Sequence, residues 1–257
     1  VYNLELKNST IWVTLVDKYD QCWVGSSSGV DCISGIGLVK NSVLEEMNSK
    51  TRTILFLNDS TQLIGGSSGV FQISGMKMTK LFSDKILDVN KLVVLNNELF
   101  LATTTGLYRS SISGNFQQIE FVDLPENNVK SMAVDFAGNL WIGTNSSGVY
   151  IYQSNGKTIS FPLDNVDSKS KTVLALIADS FSSIWVSTLN GVYQVQLMPQ
   201  SGKLFQINHY GRAEGLITLE CNQNALYEDA QHYIWVGTSE GLARINPALN
   251  NELFSFK

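Results

Sequence analysis

The stretch that decides the fold is DFAGNLWIGTNSSGVYIY, at residues 135–152. In it an Asp is followed six residues later by a Trp, an apolar residue and a Gly, and then by a second Gly and another apolar pair. The Asp, Gly and Asn of its first part supply the local hydrogen bonds and positive φ of a tight turn. The apolar pairs have the composition of short β-strands. The stretch therefore predicts a bend followed by a β-hairpin.

Related stretches occur at six places along the 257 residues. Their first strand residues are Trp23, Leu63, Phe100, Trp141, Trp185 and Trp235, which are separated by steps of 40, 37, 41, 44 and 50 residues. The Asp residues that precede a Trp by six positions are Asp17, Asp135, Asp179 and Asp229. A period of this size is typical of repeat architectures.

Each copy also has an apolar, strand-length run before its bend, and most copies have a more polar run after the hairpin. Four antiparallel strands in about 40 residues predict the blade of a β-propeller. Helical repeats of similar period are excluded because no copy has apolar residues spaced by three and four. The predicted fold is all-β, a β-propeller with six visible repeats in one domain over 1–257. The predicted repeats are approximately 10–47, 51–84, 89–121, 129–163, 171–210 and 222–257.

The two ends of the chain leave the number of blades open. Residues 2–6 have the pattern of one more outer strand, which either completes a six-bladed propeller or belongs to a seventh blade. The start at Val1 rather than Met predicts a fragment of a longer protein.

The composition of the chain limits the classes of partner that it can bind. A net charge of -5 argues against nucleic acid, whose binding requires basic surface. No run approaches the roughly 20 apolar residues of a membrane helix. Cys22 and Cys32 lie on the two arms of the first hairpin and either form a disulfide or, with Cys221, are buried thiols; both interpretations stay open.

Catalytic and metal-binding groups are scarce. Only His209 and His232 are present, whereas a zinc site needs three or four converging N or S ligands. The repeated aspartates recur at one turn position and are interpreted as turn formers. The runs of Ser, Thr and Gly lack a following helix or Lys and are interpreted as hairpin tips rather than phosphate sites. We expect no catalytic residue, no metal and no cofactor.

Ligand binding is the remaining possibility. Loops that lead into the first strands of a propeller converge on its central opening, and the residues near those strand starts are Trp12, Arg52, Lys91, Lys130, Lys171, Asn222 and Asn224. Arg212 joins them from the longest segment between repeats, Pro199 to Cys221. Cations, amides and an aromatic ring suit an anionic or hydroxylated ligand such as an acidic oligosaccharide. The alternative is that these cations are simply solvated.

Two of the copies match a known pattern. Residues 138–144 (GNLWIGT) followed by Gly148, and residues 234–238 (IWVGT) followed by Gly241, resemble the two-component regulator propeller repeat. That repeat builds the periplasmic sensor region of bacterial hybrid histidine kinases. The last copy, with its Asn-rich stretch and terminal Pro247, is similar to the family's final blade before an immunoglobulin-like module.

The resemblance implies a non-enzymatic sensor in the periplasm, part of the ectodomain of an inner-membrane protein. Its implied partners are a neighbouring propeller or immunoglobulin-like domain and a second copy in a homodimeric receptor, with the kinase in a separate cytoplasmic part. The alternatives are a polysaccharide lyase or glycoside hydrolase, which needs close carboxylates at the opening, and a scaffold for other proteins.

Overall fold

The computed structural model describes residues 6–8, 10–35, 37–83, 85, 87–113, 116, 118–163, 171–198, 204–247 and 253–256. The chain divides into two compact units, Val1–Asp123 and Leu124–Lys257. Each unit contains three four-stranded antiparallel sheets, in which the strands follow one another in chain order. The predicted six blades of a β-propeller are therefore confirmed, while the single domain over 1–257 stays a prediction.

The first unit contains blades 1 to 3. Their strands are β1 Ile11–Val16, β2 Cys22–Ser26, β3 Gly29–Ser34 and β4 Gly37–Leu38; β5 Thr51–Asn58, β6 Thr61–Gly66, β7 Gly69–Ser74 and β8 Lys77–Leu81; and β9 Val89–Leu95, β10 Glu98–Thr103, β11 Gly106–Ser111 and β12 Glu120–Val122. One helical turn, α1 Ser42–Glu45, lies between the first two blades, with Asn41 as its N-cap. In blade 3 the outer strand β12 has three residues and begins at Glu120.

The second unit contains blades 4 to 6. Their strands are β13 Val129–Val134, β14 Leu140–Thr144, β15 Val149–Tyr152 and β16 Thr158–Phe161; β17 Val173–Ala178, β18 Ser183–Thr188, β19 Gly191–Leu197 and β20 Leu204–Tyr210; and β21 Cys221–Glu228, β22 Ile234–Thr238, β23 Gly241–Ile245 and β24 Leu253–Phe256. The extra outer strand predicted near the amino terminus falls mainly on residues 1–5, which lie outside the described residues.

Each repeated Asp binds the Trp six residues later. The indole Nε1 donates to the Asp Oδ2 at 3.0 Å in Asp17, 2.9 Å in Asp135 and 2.7 Å in both Asp179 and Asp229. The other oxygen, Oδ1, accepts backbone N–H groups within the bend; that of Asp179 accepts from Phe181 and Ser183. The carboxylate therefore fixes both the bend and the ring of the next strand. The sequence predicted only the first of these two roles, turn formation.

The carboxylates of Asp17 and Asp229 make stability depend on pH. Burial acts to raise the pKa of Asp229, but hydrogen bonds from Trp235 and from the backbone N–H groups of Tyr233 and Gln231 outweigh it and lower the pKa below its ordinary 3.8; Asp17 shows the same balance. A lowered folded-state pKa gives stability that is present above the unfolded pKa and is lost as pH falls through the folded one. We expect the thermal midpoint to fall below about pH 4. The Asp229→Asn variant should be less stable at pH 7 and should show a smaller acid loss; an equal acid loss in both proteins would contradict this assignment.

The Trp rings lie between neighbouring blades within a unit. In the second unit Trp141 belongs to a buried cluster with Val173 and Leu176 of blade 5, and Trp185 belongs to one with Cys221 and Leu226 of blade 6. The predicted position of the rings between blades is confirmed there. Burying a ring of this size contributes several kcal/mol, about 3–5 as judged from truncation.

The glycine that follows the Trp and its apolar neighbour on the second strand allows adjacent blades to pack closely. A Cβ built on Gly143 would lie 2.3 Å from Val173 Cγ1, on the first strand of the next blade. In blade 5 the same place is occupied by Ser187, which is fully buried. By register, the residue of β21 that matches Val173 is the smaller Cys221, so this pair of blades has less side-chain volume to accommodate.

The hairpin tips close through side-chain hydroxyls. The hydroxyls of Ser26, Thr103, Thr144, Thr188 and Thr238 each donate to the carbonyl of the Gly at the start of the third strand or, for Gly148, just before it, at 2.7–3.2 Å. In blade 2 this position is Gly66, because a Cβ there would lie 1.8 Å from the Lys50 carbonyl oxygen. The prediction that the Ser, Thr and Gly runs are hairpin tips is confirmed.

Cysteine pairing is settled by strand register. Cys22 is opposite Ile33, and Trp23 is opposite Cys32. Cys22 and Trp23 are consecutive, so their side chains point to opposite faces of the sheet, and Cys32 shares the face of Trp23. All three cysteines are free thiols. Burial raises the pKa of Cys32 to about 11 and that of Cys221 to about 12.

Candidate functional site

The edge of each blade that carries the hairpin tip also carries the start of the first strand; we call it the tip edge. The two are joined by backbone hydrogen bonds, for example from Ser67 N to Lys50 O at 3.0 Å and from Asn145 N to Asn128 O at 3.0 Å. In blade 4 the Gly148 N–H also donates to the Lys171 carbonyl of blade 5, at 2.9 Å. Backbone hydrogen bonds therefore fix the tip edges, and most of the predicted ligand residues lie on these edges.

A β-bulge lies near the start of the first strand in five blades. The residues left between two ladder pairs are Trp12, Arg52, Asn90, Lys130 and Leu174. In blade 6 four residues, 222–225, lie between the pairs that flank Gly237. Bulges commonly redirect a side chain next to a binding site. Three of the predicted ligand residues occupy this position, Lys91 is one residue beyond it, and Asn222 and Asn224 lie in the wide bulge.

Trp12 provides an aromatic face in the first unit. Its indole Nε1 donates to Ser27 Oγ at 2.9 Å, and Lys50 Nζ lies 4.7 Å from the ring centroid. The ring is half buried. An anchored aromatic ring beside an ammonium group suits a sugar face or a ligand with both apolar and polar parts.

Arg52 and Asp88 form an ion pair between blades 2 and 3. Arg52 Nη1 contacts Asp88 Oδ1, Nη2 lies 3.4 Å from Oδ2, and Nη1 also donates to the Val89 carbonyl at 3.4 Å. The Arg52 side chain is only 12% exposed. It is therefore held by the fold rather than free in solvent. We call Arg52, Asp88 and the neighbouring Lys91 the cationic corner.

The predicted residues of the second unit differ in setting. Lys130 is half buried on β13, and Lys171 is exposed just before β17. Asn222 is exposed and its Nδ2 donates to the Thr238 carbonyl at 2.8 Å, while Asn224 has a φ of 58°. The one remaining predicted residue, Arg212, lies in the turn after β20.

That turn holds Arg212 at the surface. The Arg212 carbonyl accepts from Gly215 N at 3.2 Å, and Glu214 Oε2 accepts from Gly211 N at 2.7 Å. Arg212 is exposed. The turn is thus ordered by its own hydrogen bonds and leaves the guanidinium accessible.

The histidines do not form a catalytic relay. Ser180 Oγ and Glu228 Oε1 both lie at the same ring nitrogen, His232 Nδ1, at 2.8 and 3.0 Å. A serine relay needs the two partners on different ring nitrogens. His232 has a φ of 66° and donates its backbone N–H to the Asp229 carbonyl at 2.8 Å, so it is a residue of the bend before β22. His209 Nε2 contacts the Asn190 carbonyl at 2.6 Å. Across the described residues no group of three or more His, Cys, Asp or Glu is placed to hold a metal ion.

Sequence reasoning missed Asp88 and the contact of Ser180 with Glu228. Each joins neighbouring copies, 36 and 48 residues apart. The signal that could have found them is the period itself, because side chains about one repeat apart are neighbours in space. No helix in the part of the chain that the structure describes is long and apolar enough to cross a membrane.

Six four-stranded antiparallel blades, each bulged at its first strand, define the β-propeller class of protein. Within it, residues 123–146 match the family model described as the two component regulator propeller. The resemblance seen in the fourth copy is thereby confirmed. A comparison with curated protein sequences finds no match.

Solved structures share the fold. The extracellular domains of two hybrid two component systems of B. thetaiotaomicron, BT3049 and BT4673, each align with a TM-score of 0.79 at 20% identity. The alignments cover 98% and 99% of this chain and 34% of each of theirs, so the chain spans about a third of their length. Virginiamycin B lyase from Staphylococcus aureus aligns with a TM-score of 0.72 at 13% identity, over 98% of this chain and 86% of the lyase. Identities of this size show the fold alone.

Proposed function

We propose that this chain is a ligand-sensing propeller of a membrane two-component system and that it binds an oligosaccharide without transforming it. The observation that carries the proposal is the half-buried Trp12, whose anchored ring lies beside Lys50 on a tip edge. An aromatic ring next to polar hydrogen-bonding groups is the usual chemistry of sugar recognition in a small-molecule site. The match of residues 123–146 to the two component regulator propeller supports the same class.

A sensor requires different affinities for two arrangements of the receptor rather than a reaction centre. We propose that the domain lies in the periplasm and that ligand binding changes its contact with a neighbouring propeller or immunoglobulin-like domain in a receptor homodimer. The kinase would lie in a separate cytoplasmic part. The second candidate is a propeller enzyme, favoured by the likeness in fold to virginiamycin B lyase.

Thermal shift against neutral and acidic oligosaccharides separates these functions. A ligand at 100 times its Kd stabilises the folded state by about 2.7 kcal/mol. A shift without loss of the sugar, measured by chromatography after incubation, supports the sensor. Breakdown of the sugar supports the enzyme instead, and the absence of any shift across the panel contradicts the proposal.

Replacing Trp12 tests the site itself. We expect the Trp12→Ala variant to lose most of the ligand-induced shift, because the stacking face is removed. The matched control is Phe136→Ala, which removes an aromatic ring that is 60% exposed in a blade bend. The control should keep the shift of the unsubstituted protein. Equal shifts in both variants would show that Trp12 does not contact the ligand.

A further inference from the structure

The cationic corner contains one charge that the fold does not neutralise. Arg52 is paired with Asp88 and also contacts the Val89 carbonyl. The Lys91 side chain makes no hydrogen bond, ion pair or ring contact with any residue that the structure describes. It is half buried, and burial lowers the pKa of its ammonium group, with no carboxylate acting in the opposite direction.

The position of Lys91 is fixed on both sides. The preceding residue, Asn90, is bulged and buried. The following residue, Leu92, donates its backbone N–H to Thr53 Oγ1 of blade 2 at 3.2 Å. Lys91 therefore occupies a defined place on β9, on the face opposite to the one that Leu92 packs against blade 2, and not a loose surface loop.

Lysine is an exception at this place in the repeat. Lys91 is opposite Ala102 of β10, at the residue after the bulge. The residues at the equivalent register in the other four blades with a one-residue bulge are Val13, Thr53, Ser131 and Ala175. All four are neutral, and the two hydroxyls bond the next strand of their unit, at Leu92 N and Leu176 N. The fold of the blade therefore does not require a cation at this position.

The blade that contains Lys91 supplies no unpaired counter-ion. β9 has no Asp or Glu, Asp88 just before it is bound to Arg52, and Glu98 of β10 and Glu120 of β12 are both paired with Arg109. A partly desolvated charge without a counter-ion costs free energy, which an arriving anion recovers. The cationic corner is thus unfavourable in the free protein and favourable in a complex with an anion.

We infer that Lys91 is the anion-recognition residue of the ligand site, and that the ligand carries a carboxylate or sulfate group which binds Lys91 Nζ. This inference rests on the proposed function, because it names the chemical class of the oligosaccharide. A compact ammonium group binds such anions as a point charge with up to three donated hydrogen bonds.

The test compares the unsubstituted chain with Lys91→Met, Lys91→Arg and the control Lys171→Met, which removes an exposed cation. Calorimetric titration at constant ionic strength uses hexagalacturonate, a sulfated galactan hexasaccharide, neutral maltohexaose, citrate and inorganic sulfate. We expect Lys91→Met to weaken binding of the acidic hexasaccharide about tenfold to hundredfold, the loss expected for a hydrogen bond to a charged group. Lys91→Arg should keep part of the affinity, and Lys171→Met nearly all of it.

The ligand-free proteins give a second readout. Lys91→Met should have a higher Tm than the unsubstituted chain, because an uncompensated charge is removed, whereas Lys171→Met should leave the Tm unchanged. A lower Tm for Lys91→Met, with acidic sugars still bound, would overturn the inference and assign the lysine to the fold.

The probes separate the two proposals. Binding of maltohexaose that is equal in all variants keeps the oligosaccharide sensor and overturns the anion site. Binding of citrate or sulfate alone, lost in Lys91→Met, keeps the anion site and overturns the oligosaccharide ligand. Binding of an acidic hexasaccharide that depends on Lys91 supports both, and no binding of any probe overturns both.

Discussion

Trp185→Ala is expected to destabilise the chain by about 3–5 kcal/mol, the usual cost of truncating a buried aromatic ring to Ala. The Trp185 ring is fully buried, stacks on Tyr210 with centroids 5.6 Å apart, and packs among residues of blades 5 and 6. The cavity left by Ala would lie between two blades. The strands on either side are fixed by their own hydrogen-bond ladders and cannot move in to fill it. Urea denaturation gives the loss as a change in the midpoint at constant slope.

The variant Trp185→Phe separates the two roles of the indole. It keeps most of the ring but leaves the buried Asp179 Oδ2 without the hydrogen bond that it accepts at 2.7 Å. An acceptor left unsatisfied in the interior costs about 1–3 kcal/mol. We therefore expect Trp185→Phe to lie between Ala and the unsubstituted protein. A Phe variant as stable as the original would show that the repeated Asp contributes through its turn alone.

Gly143→Ala is expected to cost about 1–3 kcal/mol, as overpacking of a well-filled core does. The added Cβ would lie 2.3 Å from Val173 Cγ1 and 2.9 Å from Val173 Cβ, so the methyl group has no room unless two blades separate. The matched control is Gly37→Ala, where no residue that the structure describes lies within 4 Å of the added atom. Thermal unfolding of the control should stay within about 0.5 kcal/mol of the original. Equal losses in the two variants would refute the spacing role of Gly143.

Much of the fold could be predicted from the sequence because its strongest signals are local. The Asp and Trp of a bend are six residues apart, the two strands of a hairpin are adjacent in sequence, and the period repeats both, so all six blades could be placed from the sequence. The two-residue β4 was not predicted, since Gly37 and Leu38 have no alternating pattern to detect.

The candidate site was less accessible to sequence reasoning. A bulge adds one residue without changing composition, so counting positions selected Lys91 where the bulged residue is Asn90. The pairing of Arg52 with Asp88 depends on which copies are neighbours and on how far each side chain reaches, and neither is encoded in one repeat. Burial is equally hard to predict. Arg52 was selected as a ligand residue with a solvated cation as the alternative, whereas its side chain is largely enclosed and paired with Asp88.

The glycine of the Trp strand also explains how unequal repeats coexist. The distance between neighbouring blades is set on their inner strands, by the absence of a side chain at Gly65 and Gly143. Residues added on the outer strands or in their connections do not change the distance between blades. Steps that range from 37 to 50 residues are therefore compatible with one inner geometry. Such a chain can acquire new loops at its periphery, and hence new specificities, without any change in the spacing on which its stability depends.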